Sequence, residues 1–198
     1  LNSDLEIKGN LFLDSYDLKV NGKTLTVGSN VYIRSTYLSP DNGTLICEGN
    51  LELQYYGYAF SYLRMINDND KVIVKGDFIN NSYYVYEMTK GTLELKGDFY
   101  QNTTGYENNF IASGTHKTVF SGDKKQTINF ASAKSYFNIL DIQNTSKEGV
   151  ICTKWLNYSE LIDKNNKLVF EGSGQWGRKI TEEKYIVDGD YYLAGGTL

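Results

Sequence analysis

Gly91–Gln101 reads GTLELKGDFYQ. Leu93 and Leu95 alternate with Glu94 and Lys96, and Phe99 follows a Gly97-Asp98 pair. A period of two places the leucines on one face of a strand and the charges on the other. Gly97 allows the backbone to bend, and the short Asp98 side chain is suited to bonding nearby amides. The stretch therefore reads as strand, turn, strand.

The phrase recurs along the chain. LEIKGNLFL spans Leu5–Leu13, LTVGSNVYI spans Leu25–Ile33, LICEGNLEL spans Leu45–Leu53 and VIVKGDFIN spans Val72–Asn80. VFSGDKKQTINF, Val119–Phe130, is a looser copy, and YIVDGDYYL covers Tyr185–Leu193. The pivot glycines are Gly9, Gly28, Gly49, Gly76, Gly97, Gly122 and Gly189; the first six are spaced by 19, 21, 27, 21 and 25 residues. A period of roughly 20–30 residues is that of a solenoid. The alternation then fixes register, because a one-residue slip would exchange the inner and outer faces.

Composition agrees with this reading. The 198 residues carry a formal net charge of −4, one Pro, 19 Gly and 17 Tyr, against two Met and one His. Such a chain is long enough for one core and is rich in strand formers. No apolar run of membrane-spanning length and no signal sequence is present, so no membrane insertion is expected. The mild acidity and the absence of a dense Lys/Arg run give no reason to expect a nucleic-acid partner. The sequence starts and stops inside strand patterns, as expected of a monomeric piece of a longer protein.

Apolar pairs at spacing two mark the first two coils: Leu5/Ile7, Leu11/Leu13, Leu18/Val20, Leu25/Val27 and Val31/Ile33. Asn21-Gly22 would join a hairpin or turn a solenoid corner, and the repeated pivots favour the corner. Tyr37–Gly43 is expected to be a loop around the only proline. The spacing of 27 accommodates an insertion with Tyr55, Tyr56, Tyr58, Phe60 and Tyr62; Tyr83, Tyr84 and Tyr86 form a second group after the next coil. If the coils stack in register, both groups emerge after equivalent strands and share one flank. Asn102–Asn109 is polar. Ser135–Ile142 reads as a strand with Phe137, Ile139 and Leu140 apolar. WLNYSELI, Trp155–Ile162, reads equally as a helical turn or a strand.

Residues 185–198, YIVDGDYYLAGGTL, align without a gap on residues 5–18, LEIKGNLFLDSYDL, at an offset of 180. Residues 1–198 are therefore expected to form a single β-helix domain, with a second copy of the unit opening at 181–198. Tandem arrays of such units form rods in which each coil contacts its neighbours.

Leu18–Ile33, Tyr62–Phe78, Gly91–Gln101, Ser113–Phe130 and Ser135–Val150 together resemble a repeat of secreted and cell-surface proteins from Gram-positive bacteria, many of them plant-polysaccharide degraders. The resemblance covers most of residues 5–150 and the last fourteen residues. It implies a parallel β-helix, and the setting is similar to that of the tāpirins, cell-surface β-helix proteins that bind cellulose. No tāpirin binding motif maps residue by residue onto this chain.

The tyrosines are the first candidates for a site. Their rings suit stacking on sugars while the hydroxyl stays wet. Tyr55, Tyr56, Tyr58, Tyr62, Tyr83, Tyr84 and Tyr86 cannot all point inward, since strand neighbours face opposite sides. The simpler reading is stacking between coils that stabilises the solenoid without a ligand; the functional one is a carbohydrate-binding face. Trp155 and Trp176 fall outside the regular coils, where each is a core cover or a platform.

Other chemistry is thinly supported. Asn67-Asp68-Asn69-Asp70 offers oxygens but lacks the glycine and distal glutamate of a calcium loop, so a solvated turn is expected. His116 has no nucleophile pattern or second histidine beside it and reads as a surface or corner residue. Cys47 and Cys152 read as buried thiols, with a disulfide conceivable if they stack. Acidic residues at repeated turn positions (Asp77, Asp98, Asp123 and Asp190) read as backbone binders. Five Asn-x-Ser/Thr matches, from Asn42, Asn80, Asn102, Asn144 and Asn157, read as chance. No metal or cofactor and no catalytic residue is expected.

The expected fold is all-β, a right-handed parallel β-helix of roughly seven coils, with an antiparallel sandwich as the alternative. The expected function is a non-enzymatic, secreted or cell-surface module that adheres to a plant polysaccharide such as cellulose. A stalk or spacer with no ligand of its own is the alternative. A β-helical lyase or hydrolase ranks last, because Arg34, Arg64 and Arg178 are scattered and no catalytic cluster is evident.

Overall fold

The computed structural model describes residues 1–55, 60–82, 87–103 and 109–171, and the backbone of 178–179 and 192–193. Three parallel sheets run along the molecule. The first stacks β1 (Leu5–Ile7), β4 (Thr24–Val27), β7 (Thr44–Cys47), β10 (Lys71–Val74), β12 (Thr92–Leu95), β14 (Lys117–Phe120), β16 (Phe137–Ile142), β18 (Asn157–Ile162) and β20 (Arg178–Lys179). The second stacks β2 (Leu11–Asp14), β5 (Val31–Arg34), β8 (Leu51–Gln54), β11 (Phe78–Asn80), β13 (Phe99–Gln101), β15 (Gln126–Phe130), β17 (Val150–Cys152), β19 (Leu168–Phe170) and β21 (Tyr192–Leu193). The third comprises β3 (Leu18–Lys19), β6 (Tyr37–Ser39) and β9 (Tyr62–Leu63), continued by the bridges Met65–Met88 and Met88–Ala112.

From β1 to β18 the chain completes seven turns. Every paired strand is parallel to its neighbours and no helix occurs among the described residues, so the antiparallel sandwich is excluded. Leu25, Leu45, Val72 and Leu93 stack at one inward position of the first sheet. Val31, Leu51, Phe78 and Phe99 do so in the second. All eight are fully buried. Each such side chain is worth roughly 1.5–3 kcal/mol of burial, which is why the period-two pattern governs the whole stack. Toward the later coils the interior fills with phenylalanine: Phe99 meets Phe110, Phe130 and Phe137, each at 5.0 Å between ring centroids.

At the first five pivots the corners use a polar residue one or two positions after the glycine. The backbone N–H of Asn30 donates to Oδ1 of Asn10 at 2.9 Å, and Asn50 to Asn30, Asp77 to Asn50 and Asp98 to Asp77 each at 2.8 Å. Asp98 ends the ladder on the N–H of Thr127 at 2.7 Å. Asp77 and Asp98 are thus backbone binders, as the repetition suggests. Asp123 is not a rung: the ladder steps past it to Thr127, and Gly122 donates its N–H to Gln126. Asp190 lies outside the described residues.

Asn21 and Gly22 both take positive φ, 59° and 71°, and turn a corner between coils. Asp41 and Asn42 do the same at 48° and 65° after Pro40. The expected loop at Tyr37–Gly43 is shorter than its sequence suggests, because Tyr37–Ser39 pair as β6 and only Pro40–Gly43 turn. Trp155–Ile162 resolves as strand from Asn157 onward. In β16 the alternation steps by one: Asn138 and Ile139 are both half-exposed while Phe137, Leu140 and Ile142 are buried, so Ile139 is not core. β21 falls at the place the 180-residue offset assigns, since Tyr192–Leu193 align on Phe12–Leu13 of β2 in the same sheet. The rest of 185–198 lies outside the described residues.

Candidate functional site

The third sheet positions a chemically varied surface. Leu18, Leu38 and Leu63 stack at one position of this sheet and anchor its strands to the core. One residue earlier, Tyr37 and Tyr62 therefore face outward as directly paired neighbours. Their ring centroids lie 5.3 Å apart with the planes inclined by 30°. The Arg64 guanidinium lies 5.8 Å from the Tyr37 ring centre, and its Nε donates to Glu87 at 2.6 Å. Tyr37 also hydrogen-bonds Asp17, which accepts from the Thr36 hydroxyl at 2.9 Å.

This is a two-ring platform edged by one cation and two carboxylates. A cation beside an aromatic face and a carboxylate is held in place from two directions. Partial burial raises both tyrosine hydroxyls above their ordinary pKa, reinforced by Asp17 at Tyr37 and by Glu87 at Tyr62. Both phenols therefore remain protonated donors at neutral pH.

Among the described residues, Tyr62 is the one sequence-proposed tyrosine that lies on this platform. Tyr55 follows β8 directly and is 46% exposed; Phe60, at the far end of the same insertion, is 50% exposed. Tyr56, Tyr58, Tyr83, Tyr84 and Tyr86 lie outside the described residues. The bases of the two tyrosine-rich insertions do adjoin, as stacking in register requires. They leave the paired strands β8 and β11, Asn81 donates its N–H to the Leu53 carbonyl at 2.9 Å, and Ser61 donates its N–H to the Ser82 hydroxyl at 3.2 Å. Thr103, after β13, reaches the Ser82 carbonyl through its hydroxyl at 2.9 Å, so a third connection starts alongside. Two inward polar side chains, Asn80 and Gln101, hold these connections by bonding to Ser82, Asn109, Thr103 and Ser132.

Tyr37, Arg64, Glu87 and Asp17 escape a reading based on local tyrosine density. The signal that finds them is the recurrence of Asp17-Leu18, Tyr37-Leu38 and Tyr62-Leu63, spaced by 20 and 25 residues. A second aromatic pair, Phe12 and Tyr32, lies on the outer face of the second sheet, stacked at 4.9 Å with planes 12° apart. Farther along that row, Tyr100 donates to Asp98 at 2.7 Å; burial and this bond push its pKa to about 12.

The remaining candidates are structural. Asp70 is buried, and its carboxylate accepts the backbone N–H groups of Asn42, Ile66 and Asn67 at 2.6, 2.8 and 3.0 Å. Asp68 pairs with Lys90 at 3.0 Å. No cluster of potential metal ligands occurs among the described residues. His116 follows the Ser113–Thr115 corner but is fully buried, which corrects the surface reading. Its Nδ1 bonds the Lys90 carbonyl at 2.8 Å, Nε2 has no partner, and burial pushes its pKa down to about 4. Cys47 and Cys152 are buried free thiols on different sheets, so they do not stack or pair. Trp155 packs against the core, whereas Trp176 lies outside the described residues. Asn80, Asn144 and Asn157 are buried, which removes three of the five glycosylation-type matches.

Comparison of the chain with protein-family models, with curated proteins and with solved structures finds no match.

Proposed function

We propose that this chain is a non-catalytic adhesion module of a secreted or cell-surface protein, and that its third-sheet face adheres to an insoluble plant polysaccharide such as cellulose. The observation that carries the reading is the Tyr37–Tyr62 pair with Arg64 beside it, on the third sheet, where the tyrosine-rich insertions rejoin the coils at Tyr62 and Met88. Aromatic faces stack on the apolar faces of sugar rings, and their hydroxyls with Arg64, Glu87 and Asp17 supply hydrogen bonds at the ring edges. A rigid solenoid holds such groups without a further ordering cost on binding. Retention of the purified chain on a panel of insoluble glycans tests the proposal. Retention on cellulose or a related plant glycan is expected; passage through the whole panel would refute it.

A second reading, a stalk without its own ligand, is favoured by the 180-residue offset and by the placement of β21. It predicts further copies at that interval in the full-length sequence and no glycan retention by this unit.

A further inference from the structure

The outward side of the third sheet does not end at Tyr62. Met65 pairs with Met88, Met88 with Ala112, and Ile111 with Tyr136, all in parallel. Met65, Met88, Phe110, Ala112 and Phe137 are fully buried. Their alternate neighbours therefore turn outward. Arg64, Glu87, Ile111 and Tyr136 fall in one outward column on four successive coils, and all four are half-buried. Tyr136 is presented from fixed backbone: its N–H donates to the Phe110 carbonyl at 2.8 Å, and its carbonyl accepts the Ala112 N–H at 3.3 Å.

Arg64 joins this column to the aromatic pair. Its guanidinium lies 5.8 Å from the Tyr37 ring centre, and its Nε donates to Glu87 at 2.6 Å. Tyr37, Tyr62, Arg64, Glu87, Ile111 and Tyr136 thus make a strip of outward side chains along the solenoid axis. From Tyr37 to Tyr136 the strip crosses four strand spacings, about 19 Å at ~4.8 Å per strand. It has two rings at one end, a third ring at the other, and an ion pair with an apolar residue between them.

We infer that this strip takes an extended linear glycan lying parallel to the solenoid axis, bound along its length, with Tyr136 as the far stacking residue. The inference rests on the polysaccharide reading and adds chain length and direction to it. A disaccharide covers the Tyr37–Tyr62 end alone. A longer oligomer reaches Tyr136 and gains another stacked ring. That second contact is intramolecular once the first has formed, so affinity rises with chain length until the strip is filled. The stacked coils hold the two ends at a fixed separation, so the gain is not spent on ordering the protein.

The test is calorimetric titration of the full chain with cellobiose, cellotetraose and cellohexaose. Affinity is expected to rise along this series. Tyr136→Ala is expected to weaken cellohexaose binding about five- to tenfold while leaving cellobiose within roughly twofold of the parent. Tyr62→Ala is expected to weaken both. Tyr136→Phe keeps the ring and should keep the length dependence, whereas Tyr136→Leu keeps apolar bulk without a ring and should lose it. A merely structural role for Tyr136 would weaken every oligomer alike. Equal effects of Tyr136→Ala on short and long oligomers, or none on either, overturn the strip and leave the Tyr37–Tyr62 platform standing. Oligomers that fail to bind a chain retained on insoluble cellulose overturn it as well. Failure to bind either form removes the polysaccharide reading, and this inference with it.

Discussion

Asn50 donates its backbone N–H to Oδ1 of Asn30 at 2.8 Å, and its own Oδ1 accepts the N–H of Asp77 at 2.8 Å. One side chain thus receives the next coil while its backbone rests on the previous one. Asparagine and aspartate perform the same task along this ladder because only the acceptor oxygen is used.

The ladder makes a direct prediction. Asn50→Ala leaves the Asp77 N–H without its acceptor and costs about 1 kcal/mol. Asn50→Asp keeps that acceptor and is expected to cost less than half as much. Urea unfolding of both variants measures the difference, and equal losses would show that the side-chain oxygen is not the relevant group.

From Gly28 to Gly122 the pivot glycines are required by the approach of successive coils. A Cβ on Gly76 would lie 2.6 Å from the carbonyl carbon and 2.7 Å from the oxygen of Gly49. Backbone cannot move aside as a side-chain tip does, so Gly76→Ala is expected to destabilise by roughly 1–3 kcal/mol. At Gly9, in the open first coil, nothing lies within 4 Å of the same atom. Gly9→Ala is therefore expected to fall within about 0.5 kcal/mol of the parent. Thermal melts of the pair check this contrast.

His116 gives the fold a pH dependence. Its pKa is about 4 when folded, against 6.5 for an unburied histidine, because burial opposes the charged ring. The unfolded chain therefore binds the proton first as pH falls. This contribution to stability is fully present above about pH 6.5 and is lost progressively toward pH 4, to a limit of roughly 3 kcal/mol. Urea midpoints at pH 7 and pH 4.5 should diverge in the parent chain. In His116→Gln they should diverge less by the histidine contribution.

Burial also pushes the Cys47 thiol up to about 11 and the Cys152 thiol up to about 12. Thiolate is the reactive form, so neither residue should react with a thiol reagent at pH 8 in the folded protein. Both should react once the chain is unfolded in denaturant. Rapid modification of one thiol under native conditions would place it outside the core.

The scaffold was legible because each coil repeats the same physical constraint. Leu45, Val72 and Leu93 must be buried, and Gly76 and Gly97 must be small, so the pattern survives in the sequence. The third face was less legible. Its strands are two or three residues long, too short for alternation to show, and the lengths of the preceding connections vary. Tyr62 stands out by its tyrosine-rich surroundings, whereas Tyr37 reads as part of a proline loop and its partnership with Tyr62 is visible only in the stacked register. The corner position of His116 was legible but its burial was not, because one polar residue inside an alternating segment carries no sign of which face it takes. Asn80 and Gln101 are inward for a similar reason: their role is to hold connections whose geometry no local pattern encodes.

The most direct test of the adhesion proposal is a depletion isotherm on the glycan that best retains the chain, comparing it with Tyr37→Ala, Tyr62→Ala and the double variant at matched thermal stability. Each ring stacked on a sugar is expected to contribute about 1 kcal/mol, a loss of roughly five- to tenfold in affinity per single variant. The double variant is expected to lose measurable adsorption. Unchanged isotherms for folded variants would contradict the claim that the Tyr37–Tyr62 face binds polysaccharide.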